Sequence, residues 1–146
     1  MTISSVSYAA TTGSLTISGT IPAATSITVN PSVGYSSLDL VNGETNKVVA
    51  VVTEKNNTLL GYSVTLASSN SGLLKNGTLG SINYTAKYNN VIVTLSSTPQ
   101  TITTQGSQVA IVNSNKNFAV TTTPTPEDMI VEGVYTDTLL FTISSN

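Results

Sequence analysis

"VYTDTLLFTISSN", residues 134–146, alternates apolar and polar side chains almost to its end. Tyr135, Leu139, Phe141 and Ile143 fall on one face, interrupted by Asp137, and Thr136, Thr138, Leu140 and Thr142 fall on the other. A period of two over this length marks a β-strand with one face on a core. A strand this apolar belongs inside a sheet, with a neighbour on each edge. No further strand follows it, so one edge of this closing strand is expected to find no partner in its own chain.

A second stretch has the converse property. "SLTISGTIP", residues 14–22, carries no charge and also alternates. Leu15, Ile17, Gly19 and Ile21 share one face, Thr16, Ser18 and Thr20 share the other, and Pro22 ends the run. It is a spare strand at the start of the sequence, behind a loose polar leader.

Between these two, nothing has helical spacing over eleven or more residues. Val, Ile, Thr and Tyr dominate the periodic parts, as suits half-buried pleated strands. The alternation predicts strands at Ala24–Asn30, Ser37–Val41, Lys47–Glu54, Gly61–Ser68, Ile82–Tyr88, Val91–Ser96, Gln100–Thr104, Val109–Val112, Phe118–Thr122 and Val134–Ser144. Turn residues separate them, among them Asn42-Gly43, Asn76-Gly77, Gln105-Gly106 and Glu132-Gly133. The sharpest local signal is Asn89-Asn90 between two alternating runs, because two Asn tolerate the positive φ of a type I′ hairpin turn. Short strands with polar turns at this spacing predict an antiparallel sandwich.

Composition narrows the function. The chain has 146 residues, one domain's worth, and only 8% are charged. Ser and Thr make up roughly a third, far above ordinary usage. Its formal net charge of −2 lacks the basic patch that nucleic acid requires. No apolar run is long enough for a membrane span. The start lacks the pattern of a signal peptide, which leaves either a cytosolic chain or a mature secreted one behind an added start Met; a Thr-, Ser- and Asn-rich, charge-poor β composition favours the second, an extracellular chain.

With no His and no Cys, neither a Ser–His pair nor a thiol nucleophile exists. Gly61-Tyr62-Ser63-Val64-Thr65 is not a nucleophile elbow. No catalytic residue, metal site or cofactor is expected. Glu127-Asp128 reads as solvated loop charge, since calcium needs six or more clustered oxygens. Asp137 reads as a partly buried acceptor of hydrogen bonds; the sharper alternative, a catalyst of a Lys–Asn crosslink, needs a Lys and an Asn beside it.

The order of these parts resembles the chaperone–usher pilins, especially the archaic and alternative types near the spore-coat-U and colonisation-factor subunits. The parts are the alternating Leu15–Ile21, the step "IPAATSITVNP" (21–31), the segment "GYSVTLASSNSGLLKNG" (61–77) and the ending "EGVYTDTLLFTIS" (132–144), with Gly133, Tyr135 and Asp137 in the family's closing order. Two departures stand out: no Cys for the disulfide many archaic pilins carry, and a long leader with a second alternating stretch at Val6, Tyr8 and Ala10.

The resemblance implies an all-β fold: an incomplete immunoglobulin-like antiparallel β-sandwich over 23–146, completed by a donor strand from the 1–22 extension of another copy. Leu15, Ile17, Gly19 and Ile21 would be the donor residues; Tyr135, Leu139, Phe141 and Ile143 would line the acceptor groove. It also implies a head-to-tail homopolymer, a cell-surface fimbria supporting adhesion or biofilm formation, and a periplasmic chaperone and an outer-membrane usher as assembly partners. Other readings stay open. Leu15–Ile21 is an ordinary first strand of its own domain, or Val6–Ala10 is the donor. From another class, the chain is a carbohydrate-binding or phage/capsid-type surface sandwich, with Tyr35, Tyr84 and Tyr88 as a stacking patch.

Overall fold

Alternation becomes strand over most of the body of the chain. The computed structural model describes residues 1–146. Its strands are β1 (Thr25–Pro31), β2 (Lys47–Asn56), β3 (Tyr62–Ser68), β4 (Leu73–Lys75), β5 (Ser81–Tyr88), β6 (Val91–Val93), β7 (Gln100–Gln105), β8 (Val112–Thr122) and β9 (Leu139–Ser145). Every pairing is antiparallel. The larger sheet runs β1-β2-β8-β5-β4, with β6 also on β5, and the smaller runs β7-β3-β9. No helix is long and apolar enough to cross a membrane.

The two sheets form an antiparallel β-sandwich. In β3, Tyr62, Val64, Leu66 and Ser68 are buried while the residues between them are not. In the larger sheet Ala50 and Val52, Tyr84, Ala86 and Tyr88, and Phe118 and Val120 are buried in the same alternating way. Across the interface the Phe118 and Phe141 rings meet edge to face, 5.3 Å between centroids, a favourable arrangement for aromatic pairs.

The sandwich has two poles. β1 starts, β2 ends, β3 starts and β9 ends at the proximal pole, from which residues 1–24 depart without forming any strand. Here Gly61 has φ +85°, and a Cβ on it would collide with the carbonyl oxygens of Gln105 and Gly106. Loops 32–46, 76–80 and 123–138 gather at the distal pole. The Asn89-Asn90 turn has φ +48° and +66°, and Tyr88 pairs with Val91 across it, as the sequence predicts.

Five strand expectations are corrected. Ser37–Val41 is a loop: the Asp39 carboxylate accepts from the backbone and side-chain N–H of Asn42, both at 2.9 Å, a local turn that competes with a ladder. Leu38 and Leu40 still pack on the core, which is why the sequence alternates there. Val109–Val112 is loop until Val112, where β8 starts. β8 begins six residues earlier than Phe118; its first half looks polar on both faces because Lys116 points inward to a buried acid. Within Val134–Ser144 only Leu139 onward is strand, since Asp137 pulls the preceding residues towards β3 and β5. Thr136 keeps one isolated bridge to Lys75. Val91–Ser96 also leaves its sheet after Val93, and Ser96 accepts from the Ser68 N–H of the smaller sheet.

Candidate functional site

β1 pairs only with β2, and β9 only with β3. Both therefore carry one bare edge, and the two edges lie at the same side of the sandwich. At the proximal pole the Thr25 and Ser145 hydroxyls, 2.7 Å apart, close the corner. No backbone pairing joins the strands beyond that point. A groove of about 360 Å³ opens there, walled by Val29 and Pro31 of β1 and by Leu139 and Phe141 of β9, with Ala50, Phe118 and Val120 as its floor.

The groove continues towards the distal pole. A cavity of about 430 Å³ lies between Tyr35–Leu40 and residues 133–137. A further one of about 480 Å³ lies over Ile82, between Leu40 and Ile130–Tyr135. Leu38, Leu74 and Asp137 are shared by the first two, and Leu40, Gly133 and Tyr135 by the last two. Through these shared residues the three adjoin as a trough whose first part lies on the inner face of the larger sheet, and whose distal parts are walled mainly by loops 35–41 and 125–137 beside Leu74 and Ile82. The consequence shows on β1: Ile27 is half-buried, whereas Val29, on the same face, is 42% exposed.

The expected groove residues divide along this trough. Leu139 and Phe141 form its wall, and Tyr135 lines its distal part. Ile143 is half-buried opposite Val64 in the β3–β9 ladder and lies outside the trough. Leu15, Ile17 and Ile21 are 85%, 87% and 87% exposed, and Gly19 has nothing within 4 Å of its Cβ position. Within its own chain Leu15–Ile21 pairs with no strand. The leader is fixed only near its end, where Asn57 donates to Pro22 O and accepts from Ala24 N.

Two carboxylates hold the trough's frame. Asp137 accepts from Ser68 Oγ and Tyr84 OH with one oxygen, and from the N–H groups of Asn70 (2.9 Å) and Thr138 (2.8 Å) with the other. It thus ties the approach to β9 to both sheets; its partners are hydroxyls and amides, with no lysine among them. Burial, and then the carboxylate it bonds, push the Tyr84 phenol above its ordinary pKa.

Glu54 is fully buried and joins strands of both sheets: it accepts from Tyr88 and Tyr62, from Thr103 at 3.0 Å, and from Lys116 Nζ at 2.8 Å. Burial opposes its charge, but the Lys116, Tyr88 and Tyr62 donors prevail and hold its pKa below the usual carboxylate value. The same burial and the same carboxylate raise Tyr62 and Tyr88.

Val29, Pro31, Leu74, Phe118 and Val120 were not expected at the site. Alternation marks Val29, Phe118 and Val120 as inward-facing, but only the strand count of each sheet shows which inward residues stay uncovered. The stacking patch of Tyr35, Tyr84 and Tyr88 does not form, because Tyr84 and Tyr88 are core residues while Tyr35 is exposed. No protein-family model matches the chain, and a search of curated proteins finds no match.

Proposed function

We propose that this chain is a structural subunit of an extracellular fibre that polymerises by donor-strand exchange, on the plan of the chaperone–usher pilins its sequence resembles. The observation that carries the reading is the conjunction of an apolar trough between two bare strand edges with an exposed, alternating apolar segment that has no partner in its own chain. An edge strand with a free ladder takes up an added strand; the ladder gives affinity and alternate pockets give register. A subunit that donates at one pole and accepts along its side makes a heterologous, non-closing contact, which propagates. Leu15, Ile17 and Ile21 would each contribute about 1.5–3 kcal/mol on burial. Nine residues from Ser14 to Pro22 reach roughly 30 Å as a strand, enough to cross a sandwich. A periplasmic chaperone and an outer-membrane usher are the assembly partners this plan calls for.

Deletion of Met1–Ile21 tests it. The truncated chain is expected to accept but not to donate, and to gain thermal stability from an added peptide covering Ser14–Pro22. A truncated chain that melts as the intact one does, and ignores the peptide, would show that the leader is no missing strand.

A further inference from the structure

Loop 123–138, which walls the distal part of the trough, leans on the turn 76–80 between β4 and β5. Lys75 and Thr136 exchange two backbone hydrogen bonds, each of 2.9 Å. The next residue, Asn76, donates from its side-chain nitrogen to Glu132 O at 3.4 Å. Its amide lies so close on Gly133 that a Cβ there would collide with it. At the far end of the turn, a Cβ on Gly80 would meet the Tyr135 hydroxyl at 3.1 Å and Ile130 at 3.2 Å. Turn and loop thus share one seam, and the Asn76 amide is its polar tie.

Asn76 is followed by Gly77, and the only other Asn-Gly pair is Asn42-Gly43. In such a pair the backbone nitrogen of the glycine can attack the Asn side-chain carbonyl carbon, because the glycine has no side chain to block or stiffen the approach. The two pairs differ in freedom. Gly43 is wedged: a Cβ on it would meet Pro124 and Thr122 O, both at 2.9 Å. Its neighbours are tied as well. Glu44 bonds Thr122 from both its N–H and its carbonyl oxygen, and Asn42 gives its backbone and side-chain N–H to the Asp39 carboxylate. Gly77 and Thr78 are exposed. A Cβ on Gly77 would find nothing within 4 Å, and neither residue's N–H donates to another backbone group.

We propose that Asn76 is a site of spontaneous deamidation, and that its conversion loosens the distal wall of the trough. The Gly77 nitrogen bonds to Asn76 Cγ and gives up its proton, the side-chain nitrogen leaves as ammonia, and a five-membered imide remains. Water then adds to one of the two imide carbonyls and opens the ring to aspartate or isoaspartate. One water is consumed and one ammonia released, with no enzyme and no change of oxidation state. Either product puts a carboxylate, which only accepts, where a donor faced Glu132 O. Isoaspartate also adds a methylene to the backbone of the turn. The Lys75–Thr136 bridge, one residue away, frays first, and the wall at Glu132, Gly133 and Tyr135 follows. The conversion acts on that wall whatever fills the trough, so it stands apart from strand exchange.

The test ages the full chain at mildly alkaline pH and maps it by mass spectrometry; cleavage after Lys47 and Lys75 puts Asn42 and Asn76 on separate peptides. The expected result is a gain of one mass unit, with isoaspartate, about tenfold faster at Asn76 than at Asn42, a small difference in barrier. Asn76→Gln, whose ring would be one atom larger, should show no gain at that position. Amide exchange followed by NMR should quicken about tenfold at Lys75 and Thr136, both in the aged chain and in Asn76→Asp, as a local opening would, and should stay unchanged at Val52 in the core. Conversion at Asn42 as fast as at Asn76, or none at Asn76, would overturn the site. Conversion at Asn76 that leaves exchange at Lys75 and Thr136 as it was would overturn its effect on the wall.

Discussion

Glu54 and Lys116 form the ion pair on which the proximal half of the sandwich turns, and each is held by groups that only the folded chain brings together. Lys116→Met leaves the Glu54 carboxylate buried without its cation, and breaking a buried pair from one side costs about 3–5 kcal/mol. The expected outcome is a loss of that size in urea unfolding, partly recovered when Glu54→Gln is added. The pH dependence has two limbs. Glu54 is depressed on folding from its ordinary 4.5, so it contributes stability above that value, and the contribution fades as pH falls through the lowered one. Tyr62, Tyr84 and Tyr88 are raised from 10.0, so their contribution is complete below 10.0 and is lost as pH rises beyond it. Melting temperature against pH should therefore form a plateau with an acid and an alkaline edge. Tyr84→Phe should soften the alkaline edge.

Among the elements, the leader and β9 make the sharpest contrast. Ile17→Asp should abolish polymers, while Ser18→Asp should shorten them little, because adjacent residues of a strand point to opposite faces and an unpaired buried carboxylate is costly. Gel or microscopy lengths check this; equal loss in both would refute the register, and loss for Tyr8→Asp instead would move the donor to Val6–Ala10. Most strands were legible from period-two alternation, and the Asn89-Asn90 hairpin from turn chemistry alone. Leu139 and Phe141 were legible as a buried face. The loop at 37–41 was not, because Leu38 and Leu40 alternate for packing while Asp39 holds a turn. Nor was the first half of β8, since Lys116 looks like a surface residue until Glu54 is placed beside it. The floor of the trough stayed hidden for a topological reason: Phe118 and Val120 read as ordinary core, and nothing local tells that the opposing sheet stops at three strands.

For the whole molecule, the proposed assembly predicts linear polymers whose stability is a rate. Withdrawing a packed strand re-exposes the trough, so dissociation should be slow and apparent melting should depend on scan rate. Light scattering that finds only compact monomers over a wide concentration range would speak against it. The topology of the smaller sheet adds a kinetic consequence. β3 is flanked by β7 and β9, and β4 to β8 intervene before β9 can dock on it. Pairings between such distant segments close late and make folding slow. One wall of the trough is thus expected to arrive late, and the proposed acceptor surface is incomplete while β9 is undocked. On the proposed assembly, folding of the body would precede capture of a strand.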